Sequence, residues 1–181
     1  MPTEVEESWS RVTAWLAANA TVTHAMLRPP ASALDARLPA ELRRLLLIND
    51  GADVSERSAA GFLPGMHRLL PAGQIAEDNA MHIEILADLD DDDMAGHWWH
   101  PQWIVFGSDG AGDRLVIDDR PGLGQGRVWQ WSRTDGLIWE FAPSMGEFIA
   151  DVASALEGGT PLNGWRPVLE NGDLQWDPVS R

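Results

Sequence analysis

Residues 103–117 read WIVFGSDGAGDRLVI, two short apolar runs joined by a polar, glycine-rich stretch. Aromatic and β-branched residues, which favour strands, dominate both runs, and residues 107–113 supply the glycines and aspartates that favour turns. Two such runs on either side of a turn are typical of an antiparallel hairpin. The stretch therefore predicts a hairpin with a wide polar loop at the centre of the fold.

A second hairpin is predicted over residues 127–141, where 127–131 and 137–141 supply the strands. A three-residue loop, Thr134 to Gly136, would place Gly136 in the left-handed conformation that such loops use. A loop with this odd number of residues also brings four aromatic side chains to one sheet face, whereas a four-residue loop would divide them between two faces. The expected cross-strand pairs are Trp131 with Trp139 and Trp129 with Phe141.

Helices are predicted on both sides of the hairpins. The first begins at Thr3, which forms a capping box with Glu6. The others are a short helix between Pro39 and Asn49, a helix from Ile75 to about Leu89, and a closing helix after the capping pair Ser144 and Glu147. Helices around a block of antiparallel strands predict an α+β fold. The 181 residues suit one domain, so we expect a domain over 1–159 and an extension, 160–181, that packs on it or is partly mobile. The extension could add an edge strand to the sheet or drape over the domain.

The charge balance excludes some partners and favours others. The chain has 28 acidic and 13 basic residues, all of the basic ones arginine, and a formal net charge of -15. Such a surface repels phosphate groups, so neither nucleic acid nor an anionic membrane is an expected partner, whereas a basic protein would be attracted. The absence of cysteine excludes disulfides and thiolate chemistry.

The sequence predicts a cytoplasmic location. The N-terminus lacks the basic start and apolar run of a signal peptide, and no apolar stretch approaches 18 residues. A chain of this length can bury a core of its own, so a stable monomer is plausible, and the oligomeric state stays open.

No catalytic constellation is apparent, and neither a catalytic residue nor a cofactor is predicted. Ser108 comes nearest to a nucleophile, but it opens a hairpin loop and no G-x-S-x-G elbow is present. His97 and His100, with the aspartates at 90–93, could be considered as metal ligands, although the spacing lacks the pattern of a known zinc site. Asp109 to Asp113 does not match a calcium loop and is better explained as a tight turn.

Two features indicate protein binding instead. The aspartates at 90–93 concentrate negative potential, and Trp98 and Trp99 cannot both point inward from an extended strand, so one of them could be exposed beside these charges. An exposed tryptophan ringed by charge suits a binding hot spot. The candidate protein-binding surface therefore comprises Asp90, Asp91, Asp92, Asp93, Trp98, Trp99, Asp109 and Asp113.

The order of these motifs resembles the SUKH superfamily, specifically its Smi/Knr-type branch, over about residues 5–158. The residues that carry the resemblance are the leading helix Trp9 to Ala20, then Leu38, Pro39, Leu42 and Asn49 to Gly51, Phe62 to Pro64 and Arg68 to Leu70, the central hairpin from Trp99 to Asp118, and Pro143, Ser144 and Phe148. The aspartates at 90–93 and the tail after Gly159 lie outside the pattern.

The resemblance implies a twisted, mainly antiparallel sheet wrapped by helices, and a non-enzymatic role. Bacterial members are similar to immunity proteins that neutralise toxins, and eukaryotic relatives act in the control of cell-wall synthesis. The leading hypothesis is therefore an immunity protein for a basic, nuclease-type toxin. The alternative is a regulatory scaffold for cell-wall synthesis or another endogenous enzyme.

Overall fold

A five-stranded antiparallel sheet forms the centre of the protein, in a computed structural model that describes residues 3–88 and 98–179. Helices precede and follow the four consecutive strands that make up most of this sheet, which confirms the predicted α+β class. The helices are α1 (Glu4–Asn19), α2 (Thr21–His24), α3 (Ala40–Leu46), α4 (Ala72–Asp88) and α5 (Met145–Gly158). The sheet has the order β1 (Arg68–Leu69), β2 (Trp103–Ser108), β3 (Arg114–Asp118), β4 (Val128–Ser132) and β5 (Gly136–Ala142), and β6 (Trp165–Glu170) pairs with β7 (Asp173–Pro178) in a separate sheet.

The predicted central hairpin is β2 and β3, joined by the polar loop 109–113. Their register runs from Trp103 opposite Asp118 to Ser108 opposite Arg114, with one bulge between Val105 and Gly107. Both strands are almost entirely buried, because helices cover the sheet and the bulge shifts the inward-facing side chains of β2. The hairpin is the best predicted part of the fold.

The β4–β5 hairpin has a three-residue loop, but the loop is residues 133–135 and not 134–136. Gly136 has the predicted left-handed conformation, with φ of 72°, and it pairs with Ser132. The predicted aromatic pairs are wrong, since Trp131 lies opposite Leu137 and Trp129 opposite Glu140. The four aromatics are consequently not gathered on one face: Trp131 is 1% exposed and Trp139 is 52% exposed.

The register of this hairpin shifts twice, and each shift adds one residue to β5. Gln130 pairs with Trp139 after Trp131 pairs with Leu137, which leaves Ile138 as the extra residue. Phe141 is the second extra residue, because Val128 pairs with Ala142. Strand β5 is the last strand of the sheet, so both bulges lie on an edge.

The opposite edge of the sheet is covered by α4. Strand β1 has only two residues and leaves part of β2 without a strand partner on that side. The Asn79 side chain takes the place of the missing strand partner. Val105 N–H donates to Asn79 Oδ1 at 3.2 Å, and Asn79 Nδ2 lies 3.5 Å from Val105 O. The arrangement satisfies backbone groups that an exposed edge would otherwise offer to another chain.

Helices α1 and α5 pack against each other beside the sheet. The apolar face of α1 carries Val5, Trp9, Val12 and Leu16, all buried as their spacing predicts. Phe148 of α5 lies 6.0 Å from the ring centroids of both Phe106 and Phe141, which connects α5 to the sheet. Both predicted N-terminal caps are present, with Thr3 N–H donating to Glu6 and Glu147 N–H donating to Ser144.

The tail forms a hairpin of its own and adds no strand to the central sheet. Asn171 and Gly172, with φ of 52° and 82°, make the two-residue turn between β6 and β7. Buried Asp173 anchors the hairpin by accepting hydrogen bonds from Thr23 Oγ1 at 2.5 Å and Ser58 Oγ at 2.6 Å. Its other carboxylate oxygen accepts a bond from Gln175 Nε2.

Candidate protein-binding surface

Asp109 organises the loop between β2 and β3. Its Oδ1 accepts hydrogen bonds from the backbone N–H groups of Ala111, Gly112 and Asp113 at 2.8 to 3.0 Å. These bonds define an aspartate-capped turn, which agrees with the tight-turn interpretation of this segment. The rest of the side chain is half-buried, so Asp109 presents a carboxylate whose position is determined by its own loop.

Asp113 faces the neighbouring strands. Its carboxylate accepts a hydrogen bond from Gln130 Nε2 at 3.2 Å, and the next residue, Arg114, forms a half-buried ion pair of 2.7 Å with Asp78 of α4. Below this loop lies His67, whose Nδ1 donates to Pro64 O at 2.8 Å. Burial lowers the pKa of His67, and the Asp109 and Asp113 carboxylates only partly oppose that effect.

Trp98 and Trp99 have different environments. Trp99 is wholly buried: its ring stacks on His82 at 4.1 Å and meets the edges of Trp103 and Trp131. Its side chain therefore lies beneath the surface and cannot contact a partner, which corrects its place in the candidate set. Trp98 is half-buried, and its indole N–H donates to Arg133 O at 2.9 Å.

The structure brings several of the candidate residues to one end of the sheet. Trp98 binds Arg133 in the β4–β5 loop, and the aliphatic part of Arg133 lies beside Gly112 in the β2–β3 loop. We call this surface the loop end, and it consists of Trp98, residues 109–113 and residues 133–135. Asp90, Asp91, Asp92 and Asp93 lie outside the described residues, so their place relative to the loop end stays a prediction.

The other chemical candidates have structural partners. Ser108 Oγ accepts a hydrogen bond from Gly110 N–H, and His100 Nδ1 accepts one from Gln102 N–H. Burial, followed by the nearby Arg120 guanidinium, lowers the pKa of His100. Within residues 3–88 and 98–179, no group of three or more His, Asp or Glu side chains could hold a metal ion. His97 lies outside that part of the chain.

A groove between α4 and the start of β2 was not foreseen from the sequence. It has a volume of about 700 Å³ and an apolar lining that includes Leu38, Ala72, Ala76, Ala80, Ile83 and Ile104. Small residues on one face of α4 leave the space open, and Ile83 is 45% exposed there. The signal in the sequence was the alanine spacing of 72, 76 and 80, which repeats at i and i+4 and keeps one helical face flat.

The groove is bordered by carboxylates. Asp119 is one of its lining residues, and the helical spacing of α4 places Glu77, Glu84 and Asp88 on the face next to the alanines. None of these four makes an ion pair with any residue that the structure describes. Arg37 also lines the groove, but it is paired with Asp35 at 2.7 Å, and hydrogen bonds from Arg37 lower the pKa of Asp35 to about 2.

Among the described residues, no helix combines the length and apolarity needed to cross a bilayer. Comparison with curated proteins finds no match for the chain. The sequence model of the SMI1 / KNR4 family (SUKH-1) matches residues 22–151, from α2 to the first half of α5. That range is most of the chain and includes the whole central sheet, the loop end and the groove. This match shows that the chain belongs to the SMI1/KNR4 family (SUKH-1), and membership in that family fits a broad role as an immunity or regulatory module.

Proposed function

We propose that this protein is a non-enzymatic binding module, and that it acts as an immunity protein which occludes a basic, nuclease-type bacterial toxin. Family membership supports the general role, because the family fits an immunity or regulatory module. The observation that carries the choice of a basic partner is the net charge of -15, with the groove and the loop end as the surfaces available for contact.

Electrostatic steering is the physical basis of the proposal. An acidic protein attracts a basic one over a distance of about a Debye length, roughly 10 Å at 0.1 M salt, and such steering raises association rates by about 10- to 1,000-fold. Affinity then depends on a few desolvated contacts at the centre of the interface. Trp98, half-buried and held by Arg133, is the aromatic residue at the loop end that supplies such a contact.

Co-expression tests this proposal directly. A toxin gene adjacent to the gene for this protein is expressed with and without it, and survival of the host cells is measured. We expect survival only when both proteins are present, and a complex of the two purified proteins that forms at least tenfold more slowly in 0.5 M than in 0.05 M salt. Killing that this protein does not prevent would contradict the immunity role.

A strain that lacks the gene for this protein tests the regulatory alternative. A deletion strain with an envelope or metabolite phenotype, but without toxin-dependent killing, would favour a scaffold for an endogenous enzyme. Turnover of a small molecule by the purified protein would contradict both forms of the proposal, because each assigns the protein a binding role alone.

A further inference from the structure

The groove along α4 has the dimensions of a site for a helix. The lining residues on α4 run from Ala72 to Ile83, which at 1.5 Å per residue corresponds to a length of about 17 Å, or about three helical turns. An amphipathic helix of that length presents apolar side chains at i, i+3, i+4 and i+7 to such a groove. The flat, alanine-rich face of α4 allows the close approach that this requires.

A strand is a poorer fit to the same place. Strand addition needs unsatisfied backbone groups at a sheet edge, and the adjacent edge is that of β2. Asn79 already bonds both the N–H and the C=O of Val105, so β2 does not offer those groups to a second chain. The partner must therefore bind through its side chains, as a helix does.

The charges around the groove indicate which residues should flank the apolar stripe of a bound helix. Asp119 lines the groove, and the helical spacing of α4 places Glu77, Glu84 and Asp88 beside its alanine face. None of these four carboxylates makes an ion pair among the described residues. The cation Arg37 is neutralised by its pair with Asp35. An occupant with arginine or lysine beside its apolar stripe would complement these carboxylates, and an acidic occupant would be repelled.

We propose that the α4 groove binds a basic amphipathic helix, and, on the proposed function, that this helix belongs to the toxin. The apolar stripe fills the space above Ala76 and Ala80, and the basic residues on its flank meet Glu77 and Glu84. The surface differs from the loop end, so the two can be tested separately.

The first experiment uses synthetic peptides as probes, because the partner is unidentified. Three fluorescent 16-residue peptides are compared by anisotropy: an amphipathic Leu/Arg helix, a scramble of the same composition without an apolar stripe, and a Leu/Glu helix. We expect the Leu/Arg helix to bind at least tenfold more tightly than the scramble, and the Leu/Glu helix not to bind. Equal binding of the Leu/Arg helix and its scramble would overturn the proposal, since charge alone would then explain the attraction.

Two pairs of variants locate the site. Ala80→Arg fills the groove and adds a positive charge, and Ala17→Arg adds the same side chain to an exposed position on α1. We expect at least a tenfold loss of Leu/Arg binding for Ala80→Arg, as for a central interface contact, and less than twofold for Ala17→Arg. The double change Glu77→Gln/Glu84→Gln should weaken binding about fivefold in low salt, whereas Glu147→Gln/Asp151→Asn on α5, with the same charge change, should not.

The toxin assay separates this inference from the proposed function. If the wild-type protein protects cells and Ala17→Arg protects equally, Ala80→Arg should fail to protect, although it folds. Full protection by Ala80→Arg would overturn the groove as the toxin site and leave the immunity role intact. If no toxin is neutralised by the wild-type protein, the immunity role fails, and the peptide measurements alone decide whether the groove binds basic helices.

Discussion

Adjacent tryptophans have different roles in this protein. Trp99 contacts His82, Trp103 and Trp131 from a buried position, whereas Trp98 reaches the surface and donates to Arg133 O. Trp98 O in turn accepts a hydrogen bond from the Trp131 indole N–H at 2.6 Å. Trp99 supports the sheet from within, and Trp98 lies partly at the surface.

Alanine substitutions should separate these two roles. Trp99→Ala leaves a large cavity beneath the sheet, and we expect it to lower the free energy of unfolding by about 4 kcal/mol. Trp98→Ala should cost less than half of that, because Trp98 is only partly buried. Urea denaturation followed by far-UV circular dichroism measures both. Similar losses for the two variants would contradict the distinction.

Buried His67 should make stability depend on pH. Its folded pKa is lowered by burial, so below about pH 6.5 the unfolded chain binds a proton that the folded protein does not. The free energy of unfolding therefore falls as the pH decreases from about 6.5, by at most about 1.4 kcal/mol per pH unit for this group. His82, whose pKa is also lowered by burial, acts in the same direction.

His67→Gln removes one of these two contributions. We expect urea titrations between pH 8 and pH 5 to show a smaller loss of stability in the variant than in the wild-type protein, with the pH 8 values as the reference. Identical slopes for the two proteins would show that His67 does not set this dependence.

At the scale of elements, one carboxylate connects the β6–β7 hairpin to the rest of the molecule. Asp173 accepts hydrogen bonds from Thr23, in α2, and from Ser58, in the segment before β1. Thr23 Oγ1 is also bonded by Leu174 N–H, at 2.8 Å. All three polar side chains are buried, so each depends on the others for its hydrogen bonds.

Asp173→Ala should release the hairpin. The substitution leaves the hydroxyls of Thr23 and Ser58 buried without an acceptor, and we expect a loss of about 3 kcal/mol. Hydrogen exchange should show faster exchange in β6 and β7 with little change in β2 and β3. The comparison variant is Asp173→Asn, which keeps one acceptor and should lose less. Uniform destabilisation of both sheets would contradict a local anchor.

The elements differ in how far the sequence predicts them, for physical reasons. Helices α1 and α5 and the β2–β3 hairpin follow from caps and apolar periods that act locally. The β4–β5 register does not, because the bulges at Ile138 and Phe141 depend on packing against the sheet, which leaves no local signal. The tail hairpin does have a local signal, because Asn171–Gly172 is a sequence that favours a two-residue hairpin turn.

The candidate site was less predictable than the fold. Asp109 could be assigned to a turn from its spacing alone, whereas the burial of Trp99 depends on contacts with α4 and β4 that are distant in sequence. The groove lies between α4 and β2, which are separate in sequence, so the pattern of a single segment does not predict it. Only the alanines on α4 hinted at it.

For the whole molecule, the dominant property is excess negative charge. With a net charge of -15, the folded state brings like charges together, and this self-repulsion costs stability. Salt reduces the cost, since the Debye length shrinks from about 10 Å at 0.1 M to about 3 Å at 1 M.

Sodium chloride should therefore stabilise the protein. We expect the urea midpoint to rise steadily between 0.05 and 0.5 M NaCl, with an unchanged denaturant slope. A sucrose series serves as the comparison, because sucrose acts by exclusion and not by screening. A midpoint that falls with salt would mean that attractive ion pairs, such as Arg114 with Asp78, outweigh the repulsion.

The two bulges in β5 have a consequence for concentrated solutions. Each inserted residue interrupts the regular spacing of the amide groups along the edge, so a second copy could pair with at most two consecutive residues of β5 before the register is lost. Stacking of copies through this strand into fibrils is thereby opposed. The protein should therefore stay dispersed at concentrations at which a regular edge strand would promote cross-β aggregation.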